Sequence, residues 1–443
     1  MDLLYKNSAR IDESTLAETT KTLNEYRDYL NQIINHDTYD APECSVNLSI
    51  DQNLISLVKE AKKKHTSKKL KYIVVIGIGG SNLGTKAVYD ALLGGFDVIE
   101  PKRFPKLIFI ETNDPQYLEH FNDFLKNQIK NPEEILFNVI SKSGSTTETV
   151  ANLEIIGKTF QEKFSAEAFH DRLVVTTDEN SKLWNLSKAK KLTVLPLPKE
   201  VGGRYSVLSP VGLFPLLAAR IEIESLCEGA ATMRKNCIEN EFNDNPAMIS
   251  AALLFANSKA GKTINDNFFF APQLESLGKW YRQLMGESIG KETNLQNETV
   301  HAGITPTVSL GSTDLHSVGQ LYLGGPLDKF TTFIWVRNVP NPMALPKEQF
   351  TQNLVENLQN KSAQNIMEAI LEGVKMAYIK KELPFMEIAL SEISAFAIGE
   401  FLQFKMIEMM YLGKLMNVNT FDQPNVELYK IETKKILTET KSS

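Results

Sequence analysis

Between residues 70 and 200, short apolar runs alternate with longer segments whose apolar residues recur every three or four positions. The runs are Tyr72–Ile76, Leu107–Ile110, Ile135–Ile140, Leu173–Thr176 and Leu192–Leu195. They are rich in Ile and Val, and most end in a Gly, Ser, Thr, Asn or Asp turn. Unbroken apolar runs of strand length mark strands buried on both faces, which predicts a parallel sheet with right-handed helical crossovers. Upstream, residues 12 to 34 read as a helix. Leu16, Leu23, Leu30, Ile33 and Ile34 share a face, and Thr15-x-x-Glu18 can form a capping box. The Pro/Gly-rich segment 195–212 is predicted to pass between two lobes. A second α/β region begins near Asn267–Pro272 and includes the strand-like run Phe333–Val336. Long amphipathic helices are expected over about 363–377 and 391–416, and the charged tail after Lys434 is expected to fray.

Length and composition narrow the class without naming a chemistry. The 443 residues correspond to about three domains or two larger ones. Hydrophobic residues at 42% and charged residues at 23% are ordinary globular usage and exclude a disordered chain. Lys and Arg number 48 against 54 Asp and Glu, a formal charge of -6. No concentrated basic field is present to release counterions, so nucleic acid and anionic membrane are disfavoured as partners. An anionic ligand would need a local site. Cys44, Cys227 and Cys237 match no disulfide framework, zinc ribbon or redox pair. They read as small buried hydrophobes in a reduced, cytoplasmic protein. No signal-peptide pattern opens the sequence, and no apolar stretch approaches the ~20 residues of a membrane span.

Two Gly/Ser loops stand directly after predicted strands. The first, Gly77-Ile78-Gly79-Gly80-Ser81-Asn82-Leu83-Gly84, follows Tyr72–Ile76. Its glycines let backbone approach a ligand, and Ser81 stands where free helix N–H groups should face an anion. It is not a dinucleotide fingerprint, because Asn82 stands where Gly is required. It is not a Walker A loop, since the Gly-Lys-Thr triplets at 157–159 and 261–263 lack the preceding Gly. Alone it means either an anion site or a tight turn. The second loop is Ser141-Lys142-Ser143-Gly144-Ser145-Thr146-Thr147-Glu148-Thr149, after Ile135–Ile140. Several hydroxyls, backbone amides and one lysine suit a phosphate dianion. A plain Ser/Thr-rich helix start is the competing reading for any one hydroxyl. In open parallel sheets, ligands gather at these carboxyl ends of strands.

Further segments carry groups able to move protons or hold charge. Arg204 follows Gly202 and Gly203 and could neutralise an oxyanion, or could be a surface arginine in a linker. Glu287 ends a helix-like stretch with Trp280, Tyr281 and Gln283, where a carboxylate can serve as a base. His316 lies in a polar turn before an apolar helix. His36, His65, His120 and His170 fall in polar, exposed stretches, and His301 is a weaker competitor. Asp422 is a natural N-cap with Pro424 in the first turn, and Lys430 follows about two turns on. No His/Cys spacing suggests a metal.

These segments, in this order from about residue 70 to 435, closely resemble the phosphoglucose isomerase family in its short bacterial form. The resemblance implies an α/β fold of two sugar-isomerase lobes, each a mainly parallel sheet flanked by helices in three αβα layers. The expected division is an N-terminal helical arm (1–48), a smaller lobe (49–210), a larger lobe (211–400) and a C-terminal arm (401–443). The implied reaction interconverts glucose 6-phosphate and fructose 6-phosphate through a cis-enediol(ate), in glycolysis and gluconeogenesis, with neither metal nor organic cofactor. By resemblance Ser81, Ser141, Lys142, Ser143 and Thr146 bind the phosphate. Glu287 is the base, Arg204 beside Gly203 stabilises the intermediate, and His316 with Lys430 opens the ring. Gly80, Glu148, Gln283 and Gln423 match supporting positions. The family implies a homodimer in which His316 reaches the partner's site. Leu315, Ile289 and Asn425 depart from residues common in the family, which bears on fine site geometry. Two rival readings stand beside this one: a non-catalytic sugar-phosphate sensor, and an isomerase for another hexose phosphate such as mannose 6-phosphate.

Overall fold

The computed structural model describes residues 1–36, 38–239, 241–348, 350, 351 and 354–439. The chain opens with strand β1 (Asp2–Leu4), helix α1 (Glu13–Ile33) and helix α2 (Gln52–His65). The predicted first helix is present, but its cap is Asp12, whose carboxylate accepts from Thr15 N at 2.7 Å. Thr15 thus sits in the first turn, a capping role Asp fills as well as Thr.

A five-stranded, wholly parallel sheet follows. It contains β2 (Tyr72–Ile76), β3 (Lys106–Ile110), β4 (Ile135–Ile140), β5 (Leu173–Asp178) and β6 (Thr193–Leu197), in spatial order β3-β2-β4-β5-β6. All five predicted runs are strands. The last starts one residue later and extends through Pro196, which the edge position tolerates. The connecting helices are α3 (Leu83–Leu93), α4 (Pro115–Gln128), α5 (Thr147–Lys163), α6 (Ala166–Asp171) and α7 (Lys182–Ala189). On β4, Leu136 and Ile140 face one apolar cluster, while Ile135, Phe137 and Val139 face another. Both faces are covered, as the unbroken apolar pattern demands. Phe137 meets Phe160 of α5 edge-on at 5.3 Å and Phe169 of α6 at 5.5 Å. Truncating such a ring typically costs ~3–5 kcal/mol.

Helices α8 (Pro210–Ala218), α9 (Ile223–Ile238) and α10 (Pro246–Lys259) lead to the second sheet. That sheet holds β7 (Ile264–Phe269), β10 (Thr305–Leu310), β11 (Lys329–Val336) and β12 (Phe385–Leu390), all parallel. β1 is its antiparallel edge, giving the order β1-β12-β11-β7-β10. Between β7 and β10 lie α11 (Glu275–Ile289) and the hairpin β8 (Lys291–Thr293)–β9 (Thr299–Ala302). Helices α12 (Gly319–Gly324), α13 (Ala363–Lys380), α14 (Ala395–Met416) and α15 (Val426–Glu439) complete the chain. The protein is therefore α/β with two mainly parallel sheets flanked by helices.

Two expectations about the C-terminal region change. α14 is not amphipathic: residues Ala397 to Gly413 are all buried. Its charged members are matched internally. Lys405 pairs with Glu408 at 2.9 Å, and Glu408 accepts from Tyr281 Oη at 2.6 Å. The expected boundary at 400/401 falls inside this helix. The segment from Lys434 to Glu439 is helical rather than frayed, and residues 440–443 lie outside the described residues. All three cysteines are free and buried. Among the described residues, no helix is long and apolar enough to cross a membrane.

Candidate active site

Two loops that follow strands of the first sheet meet the end of helix α11 at a junction of three separate segments. The β2–α3 loop contributes Gly79 and Gly80, and the segment after β6 contributes Gly203 and Arg204. A Cβ on Gly80 would stand 2.2 Å from the Gly203 carbonyl carbon and 2.6 Å from Arg204 N. Only glycine permits that approach. Gly79 faces Gln283 of α11, so the third segment is the helix bearing Glu287.

Arg204 is the centre of this junction and is 2% exposed. Its Nε donates to Ser288 Oγ at 2.9 Å. Nη1 donates to Glu287 Oε2 at 3.3 Å and to Gln423 Oε1 at 2.8 Å. Nη2 donates to the carbonyls of Thr420 at 2.6 Å and Asp422 at 3.3 Å. A guanidinium has five N–H donors, so each has an acceptor. That removes the linker reading, because a buried cation this fully satisfied is a built feature. Glu287 keeps its other oxygen, Oε1, on Gln283 Nε2 at 3.1 Å, and its side chain is 31% exposed. The carboxylate is thus oriented from two sides and still partly exposed.

The two Gly/Ser loops lie side by side because β2 and β4 are neighbours in register, Ile76 opposite Val139. Ser141 Oγ and Thr146 Oγ1 are 2.9 Å apart, and Thr146 N donates to Ser141 Oγ at 3.4 Å. Thr146 occupies the N-cap position of α5, but its hydroxyl turns to Ser141 instead of capping the helix. Gly144 takes φ +66°, the left-handed conformation that closes this turn. Ser143 is exposed, and its hydroxyl accepts from Ser145 N at 3.3 Å. Ser81 is half-buried at the end of the first loop. Burial holds Lys142 below the usual lysine range, while nearby Asp178 and Glu200 oppose that shift. Burial also pushes Asp178 up to about 6, against the pull of Lys142. Glu148 is half-buried in the first turn of α5, and its carbonyl accepts from Asn113 Nδ2 at 3.2 Å. Asn82, buried in the first loop, donates to Glu111 at 2.6 Å. The β3 turn therefore braces both loops.

His316 and Lys430 are not brought to this cluster. His316 is exposed after β10, and neighbouring Leu315 packs on the outer face of the second sheet. Lys430 is half-buried on α15, and its ammonium pairs with Glu427 at 2.6 Å. No residue of α15 is buried among those described. Asp422 does not cap α15, which begins four residues later; it pairs with Lys291 at 3.0 Å. His65 is a second correction. It is buried, with Nε2 2.7 Å from Thr193 Oγ1, and burial lowers its pKa to about 4. Sequence reading assigned no role to Ser288, Lys291 or Asp178. Ser288 directly follows Glu287 in the sequence, whereas nothing local marks Lys291 or Asp178. Among the described residues, no group of three or more His, Cys, Asp or Glu could hold a metal ion.

Comparison with known proteins bears on the family and the fold. The family model described as phosphoglucose isomerase matches residues 25–443. A curated relative named glucose-6-phosphate isomerase, from Carboxydothermus hydrogenoformans, is 35% identical over 382 residues, covering 85% of this chain and 81% of the relative. One from Rubrobacter xylanophilus with the same name is 34% identical over 360 residues, covering 81% and 80%. Among solved structures, a hypothetical protein of Thermus thermophilus superposes with a TM-score of 0.86 at 28% identity, covering 98% of this chain and 99% of that one. A glucose-6-phosphate isomerase from Chlamydia trachomatis shares the fold, with a TM-score of 0.79 at 19% identity, covering 98% and 87%.

Proposed function

The chain belongs to the phosphoglucose isomerase family, and we propose a residue-level course for the reaction this membership brings. The protein is an aldose–ketose isomerase that interconverts glucose 6-phosphate and fructose 6-phosphate. The sensor and mannose 6-phosphate readings are not favoured, since the relatives carry the glucose-6-phosphate isomerase name.

In the proposed course, the sugar phosphate sits on Ser81, Ser141, Lys142, Ser143 and Thr146. Hydroxyls and amides at two strand ends supply donors without a large positive field. His316 and Lys430 pass a proton between the ring oxygen and O1 to open the ring. Glu287 removes the C2 proton, and electrons shift to give a cis-enediol(ate). The hydroxyl proton passes from O2 to O1, the same carboxyl returns the carbon-bound proton at C1, and no atom is gained or lost. Arg204 lies beside the carboxylate and stabilises the charge that develops on the oxygens. Because all five of its donors are engaged, an oxyanion gains a guanidinium N–H only by replacing an acceptor on Nη1. Glu287 and Gln423 share that nitrogen. Gly80, Gly203, Glu148 and Gln283 shape and support the cleft.

The observation that carries this reading is the placement of Glu287. It is held by Arg204 and Gln283, stays partly exposed, and sits beside the two glycine segments. We further propose a homodimer in which the partner's copy of this chain supplies the histidine. The exposed position of His316, away from Glu287, supports that arrangement. A cytoplasmic location is proposed on the three unpaired cysteines. A coupled assay on glucose 6-phosphate beside mannose 6-phosphate tests the reading. Turnover of glucose 6-phosphate is expected to dominate; binding without turnover of either would overturn it.

A further inference from the structure

Lys291 follows α11 at the start of β8 and is 6% exposed. Its ammonium donates to the Glu287 carbonyl at 2.8 Å, to Asp422 Oδ1 at 3.0 Å, and to the Asp422 carbonyl. An ammonium has three donors, and these three acceptors use them all. A lysine that merely caps a helix C-terminus would bond that helix's carbonyls. Here only one bond does so. The other two reach a turn far along the chain, the turn that carries Gln423 and leads into α15.

The surroundings point the same way. Arg204 grips this turn from the other side through Thr420 and the same Asp422 carbonyl. The β8–β9 hairpin is tied to it twice more, by Leu295 N to the Asn417 carbonyl at 2.9 Å and Asn425 Nδ2 to Glu292 at 2.7 Å. Apolar packing does not fill the space between hairpin and turn. A cleft of about 510 Å³ opens there, lined by Glu292, Asn294, Leu295, Asp422, Asn425 and Leu428. Phe421 anchors the turn on Tyr205 at 5.4 Å, and on its hairpin side the turn is held by charge and hydrogen bonds.

We propose that Lys291 is a positioning residue. It locks the end of α11 that bears Glu287 to the turn that carries Gln423, and so sets the root of α15 and the reach of Lys430. The inference rests on the reading of Glu287 as the base and Lys430 as a ring-opening group. The lock acts on geometry at the reacting carbons and leaves the phosphate loops of the other sheet untouched. A displacement of about 1 Å at such a site can cost ~10²-fold in rate.

The test uses full-length Lys291→Met, Asp422→Asn and Glu287→Gln, each checked for native circular dichroism. Lys291→Met is expected to lower kcat about 10²-fold with KM changed less than about threefold. Asp422→Asn keeps the carbonyl acceptor and is expected to lower kcat about tenfold or less, in the same direction. A native Lys291→Met protein with kcat within about twofold of the parent overturns the proposal. So does a loss carried by KM alone. If Lys291→Met does not fold, an unchanged kcat in Asp422→Asn overturns it, and a fall in kcat at constant KM supports it. Glu287→Gln separates the two readings. If it keeps most activity, the base assignment fails, while the Lys291 outcome still judges the lock.

Discussion

The Arg204–Glu287 cluster and the His316–Lys430 pair belong to one proposed reaction, yet they are built in opposite ways. Arg204 is buried, and five acceptors hold it. Glu287 is oriented by Arg204 and Gln283. His316 is exposed and Lys430 half-buried, and neither bonds to the cluster; Lys430 pairs with Glu427 instead. Proton transfer between carbons needs a carboxylate fixed against two atoms, and that part is preformed within one chain. In the proposed course, ring opening falls to groups delivered by a second copy for His316 and by α15 for Lys430. The site so proposed combines a preorganised half with a half completed by assembly.

Glu287→Gln should break the preorganised half most severely. It keeps the shape and a hydrogen bond to Arg204 but cannot take a proton. Turnover should fall ~10³–10⁴-fold with little change in KM, read by steady-state kinetics on glucose 6-phosphate. A variant retaining most of its kcat would remove Glu287 from the role. Thr146→Ala probes the phosphate loops, where loss of one hydrogen bond to a charged group is worth ~1.5–3 kcal/mol. KM should rise about tenfold while kcat stays within about threefold; a change confined to kcat would argue against a phosphate handle.

Asp178→Asn should have the smallest effect and concerns stability. Burial raises the folded-state pKa of Asp178 to about 6. The folded chain therefore holds that proton more tightly than the unfolded one. The stability it contributes is present below the ordinary carboxylate value and is lost as pH rises through about 6. Asp178→Asn should flatten this fall and raise the melting temperature at pH 7 by the equivalent of about 1–2 kcal/mol, with no gain at pH 4. An unchanged pH profile of melting would show that Asp178 does not titrate in this window.

How far the sequence reached follows from what its pattern encodes. The first sheet was legible strand by strand, because strands buried on both faces leave unbroken apolar runs. The second was only partly legible. β10 reads Thr-Pro-Thr-Val-Ser-Leu, and its polar residues find partners on β7, as Ser309 does on Asp266. α14 read as amphipathic because its charges are visible in the sequence, while Tyr281 and Ser250, whose hydroxyls donate to the buried Glu408, lie in other helices. The phosphate loops, Arg204 and Glu287 could be located from glycine and hydroxyl patterns beside strands and helices. Lys291 could not, since its meaning lies in Asp422 and nothing local signals that pairing. His65 sits among lysines and reads as exposed, but the end of α2 turns it against Thr193.

The claim that the site is half preformed and half delivered is tested most directly by mixing two inactive variants. One carries Glu287→Gln, the other His316→Ala; they are unfolded together and refolded as a mixture. If the partner supplies the histidine, each mixed dimer holds one intact site, and random pairing should restore roughly a quarter of parental turnover. A mixture no more active than either variant alone, with mixed dimers demonstrably formed, would contradict the account.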